Sequence, residues 1–134
     1  MSDTAISVLV AEDDLEIAAL VRGALEGAGY AVELVHDGEA AVNAATAKKP
    51  NIIVLDVMMP QMNGWEVCKT LRGRGDFGDV GILMLTAIGP NLNEMTAPLY
   101  GADDHLDKPF DIDELIERVG KLAKGRAAGS VAVS

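Results

Sequence analysis

Cysteine is nearly absent: Cys68 is the only one in 134 residues, so no internal disulfide can staple the chain. Basic charge is also short, with 11 Lys+Arg against 21 Asp+Glu and a formal net charge of −10. Such a surface repels nucleic-acid phosphates and anionic lipid, which argues against direct binding to either. No apolar run is long enough for a bilayer span, and no basic stretch precedes the short apolar run in Met1–Ala11; a cytoplasmic location is expected. Internal repeats and low-complexity tracts are missing too. What is present, 49% hydrophobic and 24% charged residues, suits one globular domain with a single core and no separate lid or substrate domain.

Five short apolar runs punctuate the chain: Ile6–Ala11, Ala31–Val35, Asn51–Leu55, Gly81–Leu85 and the weaker Asp103–Leu106. Val8-Leu9-Val10, Ile52-Ile53-Val54-Leu55 and Ile82-Leu83-Met84-Leu85 are apolar without a break, as strands covered on both faces of a parallel sheet are. Glu33 interrupts the second run and places it nearer an edge. Helical patterns lie between. Asp14 can cap a helix with apolar positions Ile17, Leu20, Val21, Ala24 and Ala28, and Gly29 sits at its stop. Gly38–Lys48 is alanine-rich and closes before Pro50; Asn63 with Glu66, and Asp111 with Glu114, have capping-box spacing. In the last helix Ile112, Leu115, Ile116, Val119, Leu122 and Ala123 share one face. Around Leu92–Leu99 a fourth helix is weakened by Pro98. Strict β-α alternation with short connections predicts an α/β fold, a (βα)5 doubly wound parallel sheet of five strands. The small-residue end, 125–134, is expected to be a flexible tail or the start of a linker.

In such a sheet, ligands bind beyond the carboxyl ends of the strands where the winding reverses. The first strand ends in Glu12-Asp13-Asp14 and the third in Asp56. Were those strands neighbours, carboxylates about 4 Å apart would repel by ~4 kcal/mol at an effective dielectric of about 20. A cation, raised carboxylate pKa values, or both would have to compensate. Hard oxygen donors in a small wet site suit Mg²⁺. The acids equally suit a helix N-terminus, with Asp56 as a strand-end cap. Thr86 and Lys108 follow the fourth and fifth strands, and Asp56 leads into Val57-Met58-Met59-Pro60-Gln61-Met62-Asn63-Gly64, a loop that must bend over the rim. Together these residues put a nucleophile, a metal site, a hydroxyl and a cation at one end of the sheet, as phosphoryl transfer to a carboxylate requires.

The chain resembles the receiver domains of two-component response regulators, the family that includes the chemotaxis regulator. The resemblance runs from about Ser7 to Lys124, so residues 1–124 are expected to form the domain. It is carried by Val8-Leu9-Val10-Ala11-Glu12-Asp13, Asp56-Val57-Met58-Met59-Pro60 with Gly64, Leu85-Thr86-Ala87, and Gly101-Ala102-Asp103-Asp104 leading to Lys108-Pro109-Phe110. It implies strand order 2-1-3-4-5, the flavodoxin-like arrangement, with Asp56 as phosphoacceptor. Glu12, Asp13, Asp56 and the Met58 backbone carbonyl would make the Mg²⁺ site. Lys108 and Thr86 would hold the phosphoryl oxygens, with a cis peptide before Pro109. The implied partners are a sensor histidine kinase or phosphotransfer protein and a downstream protein target, met through the fourth helix, fifth strand and fifth helix. The implied state is a monomer or a phosphorylation-dependent dimer. Such a protein is a signalling phosphoacceptor, not an enzyme acting on other substrates. Thr86 and His105 are the expected switch residues. The family usually carries Tyr or Phe where this chain has His105, whose charge changes near neutral pH. Apolar Met58 and Ile88 flank the expected path of a hydrolytic water, which predicts slow self-dephosphorylation.

Rival readings fit less well. A haloacid-dehalogenase-type phosphatase needs an acid where Met58 stands, and a flavodoxin cofactor phosphate would be repelled by Glu12-Asp13-Asp14. Gly73-Arg74-Gly75-Asp76-Phe77-Gly78 spells a dinucleotide fingerprint but follows a helix and precedes a strand, the reverse of the required context. Cys68 is expected in the core, and His36 at the end of the second strand. The alternative from another class is a receiver-like interaction module that works without phosphorylation.

Overall fold

A computed structural model describes residues 6–59, 61–75, 77–86 and 102–133, with side chains described as far as Lys124. Five parallel strands, β1 (Ser7–Ala11), β2 (Ala31–Val35), β3 (Ile52–Asp56), β4 (Gly81–Thr86) and β5 (Asp104–Asp107), lie in the order β2-β1-β3-β4-β5. The described helices are α1 (Leu15–Gly27), α2 (Gly38–Lys48), α3 (Gly64–Gly73) and α4 (Ile112–Val133). The helix expected around Leu92–Leu99, with Pro98 in it, lies outside the described residues, as do Ala87, Ile88 and Gly101.

The unbroken apolar runs are explained by their two faces. Val8, Val10, Ile52, Val54, Leu83 and Leu85 turn toward Val21 and Leu25 of α1 and Leu115 and Val119 of α4. Their neighbours Leu9, Ala11, Ile53, Leu55, Ile82 and Met84 turn the other way, toward α2 and α3. Period-2 alternation thus buries every residue, and each large side chain contributes roughly 1.5–3 kcal/mol. β2 is an edge strand as expected, and Glu33 pairs across it with Lys48 at 3.4 Å. That exposed pair adds little stability, but charge on an edge discourages further strand pairing.

The Asp14 and Asn63 caps follow the sequence. The Asp14 side chain accepts from the amides of Glu16 and Ile17, and Gly29 at φ 101° ends α1 in the left-handed region. Asn63 and Glu66 form the reciprocal box. Asp14→Ala is expected to lower stability by about 1 kcal/mol in urea denaturation. Two details differ from the sequence reading. Leu20 is 56% exposed, and Leu25 joins Ala18 and Val21 on the buried stripe of α1; at 100° per residue, position 20 falls outside the stripe through 18, 21 and 25. The last helix continues past Lys124 to Val133, where alanine supplies helix propensity to a segment expected to be a tail.

At the amino-terminal end of the sheet, Asp103 Oδ2 accepts from the Ile82 amide at 2.8 Å and from Arg72 Nη2 at 2.9 Å, while Arg72 Nη1 donates to the Phe77 carbonyl. This clasp ties the end of α3 to the starts of β4 and β5. Asp103→Ala, which strands both donors, is expected to destabilise by about 1–3 kcal/mol, read as a lowered urea midpoint with unchanged slope.

Candidate functional site

The chain leaves β1 for β2 on one side and reaches β3 on the other, so the winding reverses between β1 and β3. Their carboxyl ends carry the acids. Register brings the remaining groups to the same rim: Asp56 lies beside Leu85, Thr86 beside Asp107, and the Lys108 amide donates to the Thr86 carbonyl at 2.7 Å. Lys108 is followed by a cis bond to Pro109, as the resemblance implied.

Carboxylate oxygens of Glu12, Asp13 and Asp56 lie within 4.8 Å of one another. Glu12 is fully buried and Asp56 is 2% exposed, whereas Asp13 faces solvent. Lys108 Nζ reaches between the two buried acids, 2.9 Å from Glu12 Oε1 and 3.3 Å from Asp56 Oδ1. Burial raises the Asp56 carboxyl to about 7, helped by the Glu12 carboxylate against it and opposed by Lys108. Burial alone would pull the Lys108 ammonium down, but Glu12 and Asp56 more than reverse this and its pKa is raised. Proton and ammonium therefore do the neutralising that three clustered acids demand.

The donor set fits a hard divalent ion. Glu12 Oε1 is fully buried with the Lys108 ammonium 2.9 Å away, so an entering divalent ion would share that oxygen with Lys108 or take it over. All three side chains supply carboxylate oxygen, and the exposed Asp13 keeps the site open to water.

The loop that follows Asp56 is tied back to this rim at both ends. The Met58 amide donates to Asp56 Oδ1 at 3.3 Å, and the Gly64 amide donates to the Val57 carbonyl at 2.9 Å. Gln61, not a glycine, takes the positive φ of 73° that bends it, and Pro60 lies outside the described residues. Gly64 is needed for a different reason: a Cβ there would stand 2.5 Å from the Asp56 carbonyl oxygen. His105 sits in β5 beside Met84, half-buried, with its carbonyl accepting from Arg118. His36 follows β2, and its Nδ1 lies 3.0 Å from the Glu12 carbonyl. Cys68 is fully buried, and burial pushes its thiol to about 11, an unreactive core residue as expected.

The structure brings the expected residues Glu12, Asp13, Asp56 and Lys108 together at this rim; the Lys108–Glu12 contact is not foreseen by the sequence. Glu12 follows β1 and Lys108 follows β5, so no local spacing encodes their pairing. Among the described residues no helix is long and apolar enough to cross a membrane.

Comparison with known proteins agrees with this geometry. The model of the response regulator receiver domain matches residues 8–120. The response regulator MprA of Mycobacterium tuberculosis is 44% identical over 120 residues, covering 89% of this chain and 51% of that protein. The chain thus spans about half the length of the curated relatives it matches. Among solved structures, the Francisella response regulator 1452 receiver domain is 36% identical with TM-score 0.82, covering 88% of this chain and 96% of that one. The chemotaxis response regulator CheY4 of Vibrio cholerae is 32% identical with TM-score 0.84, covering 89% and 99%. Fold, rim chemistry and sequence therefore agree: this chain belongs to the response regulator receiver domain family of two-component signalling.

Proposed function

We propose that Asp56 accepts a phosphoryl group from a phosphohistidine on a sensor histidine kinase or phosphotransfer protein in a Mg²⁺-dependent step, and that the product switches a surface read by a downstream protein. The observation that carries this is the burial of Asp56 between Glu12 and the Lys108 ammonium at the carboxyl end of β3. An Asp56 carboxylate oxygen attacks phosphorus as the P–N bond breaks, and the departing imidazole nitrogen keeps the electron pair. Lys108 offers its ammonium to the phosphoryl oxygens, and Thr86 its hydroxyl. Mg²⁺ held by Glu12, Asp13, Asp56 and the Met58 carbonyl would neutralise the acids and the incoming charge.

The product carries more negative charge than the carboxylate it replaces. Thr86 and Lys108 follow that charge, and His105 on the adjoining strand completes the switch, a population shift driven by contacts to one added group. The responding surface comprises β5, α4 and the segment before β5. We place the domain limit near Lys124, just past Leu122 and Ala123, which pack on the core. The protein acts in the cytoplasm as a monomer or a phosphorylation-dependent dimer.

Incubation with Mg²⁺ and acetyl phosphate, followed by intact mass and peptide mapping, tests the reading. A single phosphoryl adduct on Asp56, lost in Asp56→Asn and on chelation of Mg²⁺, is expected. Its absence would leave a receiver-like interaction module that binds partners without phosphorylation. The apolar side chain of Met58 beside the site predicts an adduct that persists for minutes or longer; decay within seconds contradicts that.

A further inference from the structure

Three of the six methionines, Met58, Met59 and Met62, fall in the loop that follows Asp56. Their access differs sharply. Met84 is fully buried, Met59 and Met62 are half-buried against the core, and Met58 is 64% exposed. Met58 is also held at the site, because its amide donates to Asp56 Oδ1. An exposed thioether is thus carried by a residue whose backbone amide touches a buried carboxylate, itself flanked by Glu12 and Lys108.

We infer that Met58 is a site of reversible oxidation that sets the lifetime of the phosphoryl group on Asp56. The inference rests on Asp56 being the phosphoacceptor. A lone pair of the Met58 sulfur attacks one oxygen of a hydroperoxide, the O–O bond breaks, and water or an alcohol leaves. Sulfur loses two electrons, the peroxide gains them, and a sulfoxide results. Methionine sulfoxide reductases reverse this chemistry, so the change can work as a switch. The thioether is apolar and a weak acceptor, which keeps ordered water away from the adjoining acyl phosphate. The sulfoxide oxygen is a strong acceptor. At this position it holds a water by hydrogen bonding and turns its oxygen toward phosphorus, so oxidation shortens the phosphorylated state. The modification is chemically independent of phosphorylation and can be read without it.

The test treats the full chain with dilute hydrogen peroxide, maps oxidised methionines by peptide mass spectrometry, and follows loss of the acetyl-phosphate-derived adduct. Met58 is expected to oxidise ahead of Met59, Met62 and Met84. The adduct on oxidised protein is expected to decay about three- to ten-fold faster, the worth of one modest hydrogen bond to the attacking water. Met58→Leu treated in the same way keeps its untreated rate, and Met58→Gln, which supplies a fixed acceptor, decays faster with no peroxide. Prior oxidation of Met59, Met62 or Met84, or decay that is unchanged or slower after Met58 is oxidised, overturns the inference. Failure of untreated protein to form any adduct removes the phosphoacceptor reading instead, and this inference with it.

Discussion

Metal-free protein is expected to become less stable as pH rises from 5.5 to 8.5, and Asp56→Asn to abolish most of that slope. The Asp56 carboxyl is raised from 3.8 to about 7 in the folded protein, chiefly by burial and then by Glu12. Between those values the folded state holds a proton that the unfolded chain has released. A raised pKa contributes stability that is complete below the unfolded value and is lost as pH rises through the folded one. The maximum slope is about 1.4 kcal/mol per pH unit and flattens above about 7, so the interval from 5.5 to 8.5 gives an effect of about 2 kcal/mol. Asn at position 56 carries no charge to bury, so the variant is expected to be the more stable protein at pH 8.5. Urea unfolding of both proteins at three pH values checks this; equal pH dependence in the two contradicts it. Binding of a divalent ion at the carboxylates displaces the same proton, so apparent Mg²⁺ affinity should weaken by up to about tenfold per unit below pH 7.

Gly64→Ala is expected to lower stability by about 2–4 kcal/mol and to slow phosphoryl uptake by Asp56. The added Cβ would meet the Asp56 carbonyl oxygen at 2.5 Å and its carbon at 3.0 Å, so backbone must move. The atoms that give way belong to the proposed phosphoacceptor. Gly38 is a second such contact, with the Met62 backbone against it. Between them the two glycines seat both ends of the loop over the site. Gly29→Ala is a fit comparison, since its Cβ would meet nothing within 4 Å and its effect comes from φ alone. Chemical denaturation and adduct formation on the three variants separate a general loss of stability from a displaced carboxylate. Unimpaired uptake in Gly64→Ala would show that the loop relaxes without moving Asp56.

Much of this architecture was legible in the chain because burial on two faces leaves an uninterrupted apolar signature. Ile52–Leu55 and Ile82–Leu85 show it, and β3 and β4 begin within one residue of where those runs were placed. Asp14, Gly29 and the Asn63–Glu66 pair marked helix ends because their chemistry is local. What escaped was non-local or set by crowding. Leu20 and Leu25 differ by a rotation about α1 that its packing against the sheet and α4 decides. Gln61 takes a conformation that sequence alone assigns to glycine, while Gly64 is reserved for space beside Asp56. The acids were recognisable as strand-end residues, but the ion pair from Lys108 to Glu12 exists only once β5 lies beside β4.

The Arg72–Asp103 clasp gives β5 an unequal footing. This strand is four residues long, and the residue just before it is pinned to Ile82 and Arg72, while Lys108 stands just past the other end among the acids. A short beam built in at its root and loaded at its tip bends rather than slides. On the proposed function, a pull on Lys108 by a newly charged group would act at the unclasped tip, while Asp103 at the root and Arg118 on Asp104 and the His105 carbonyl hold the rest of the strand.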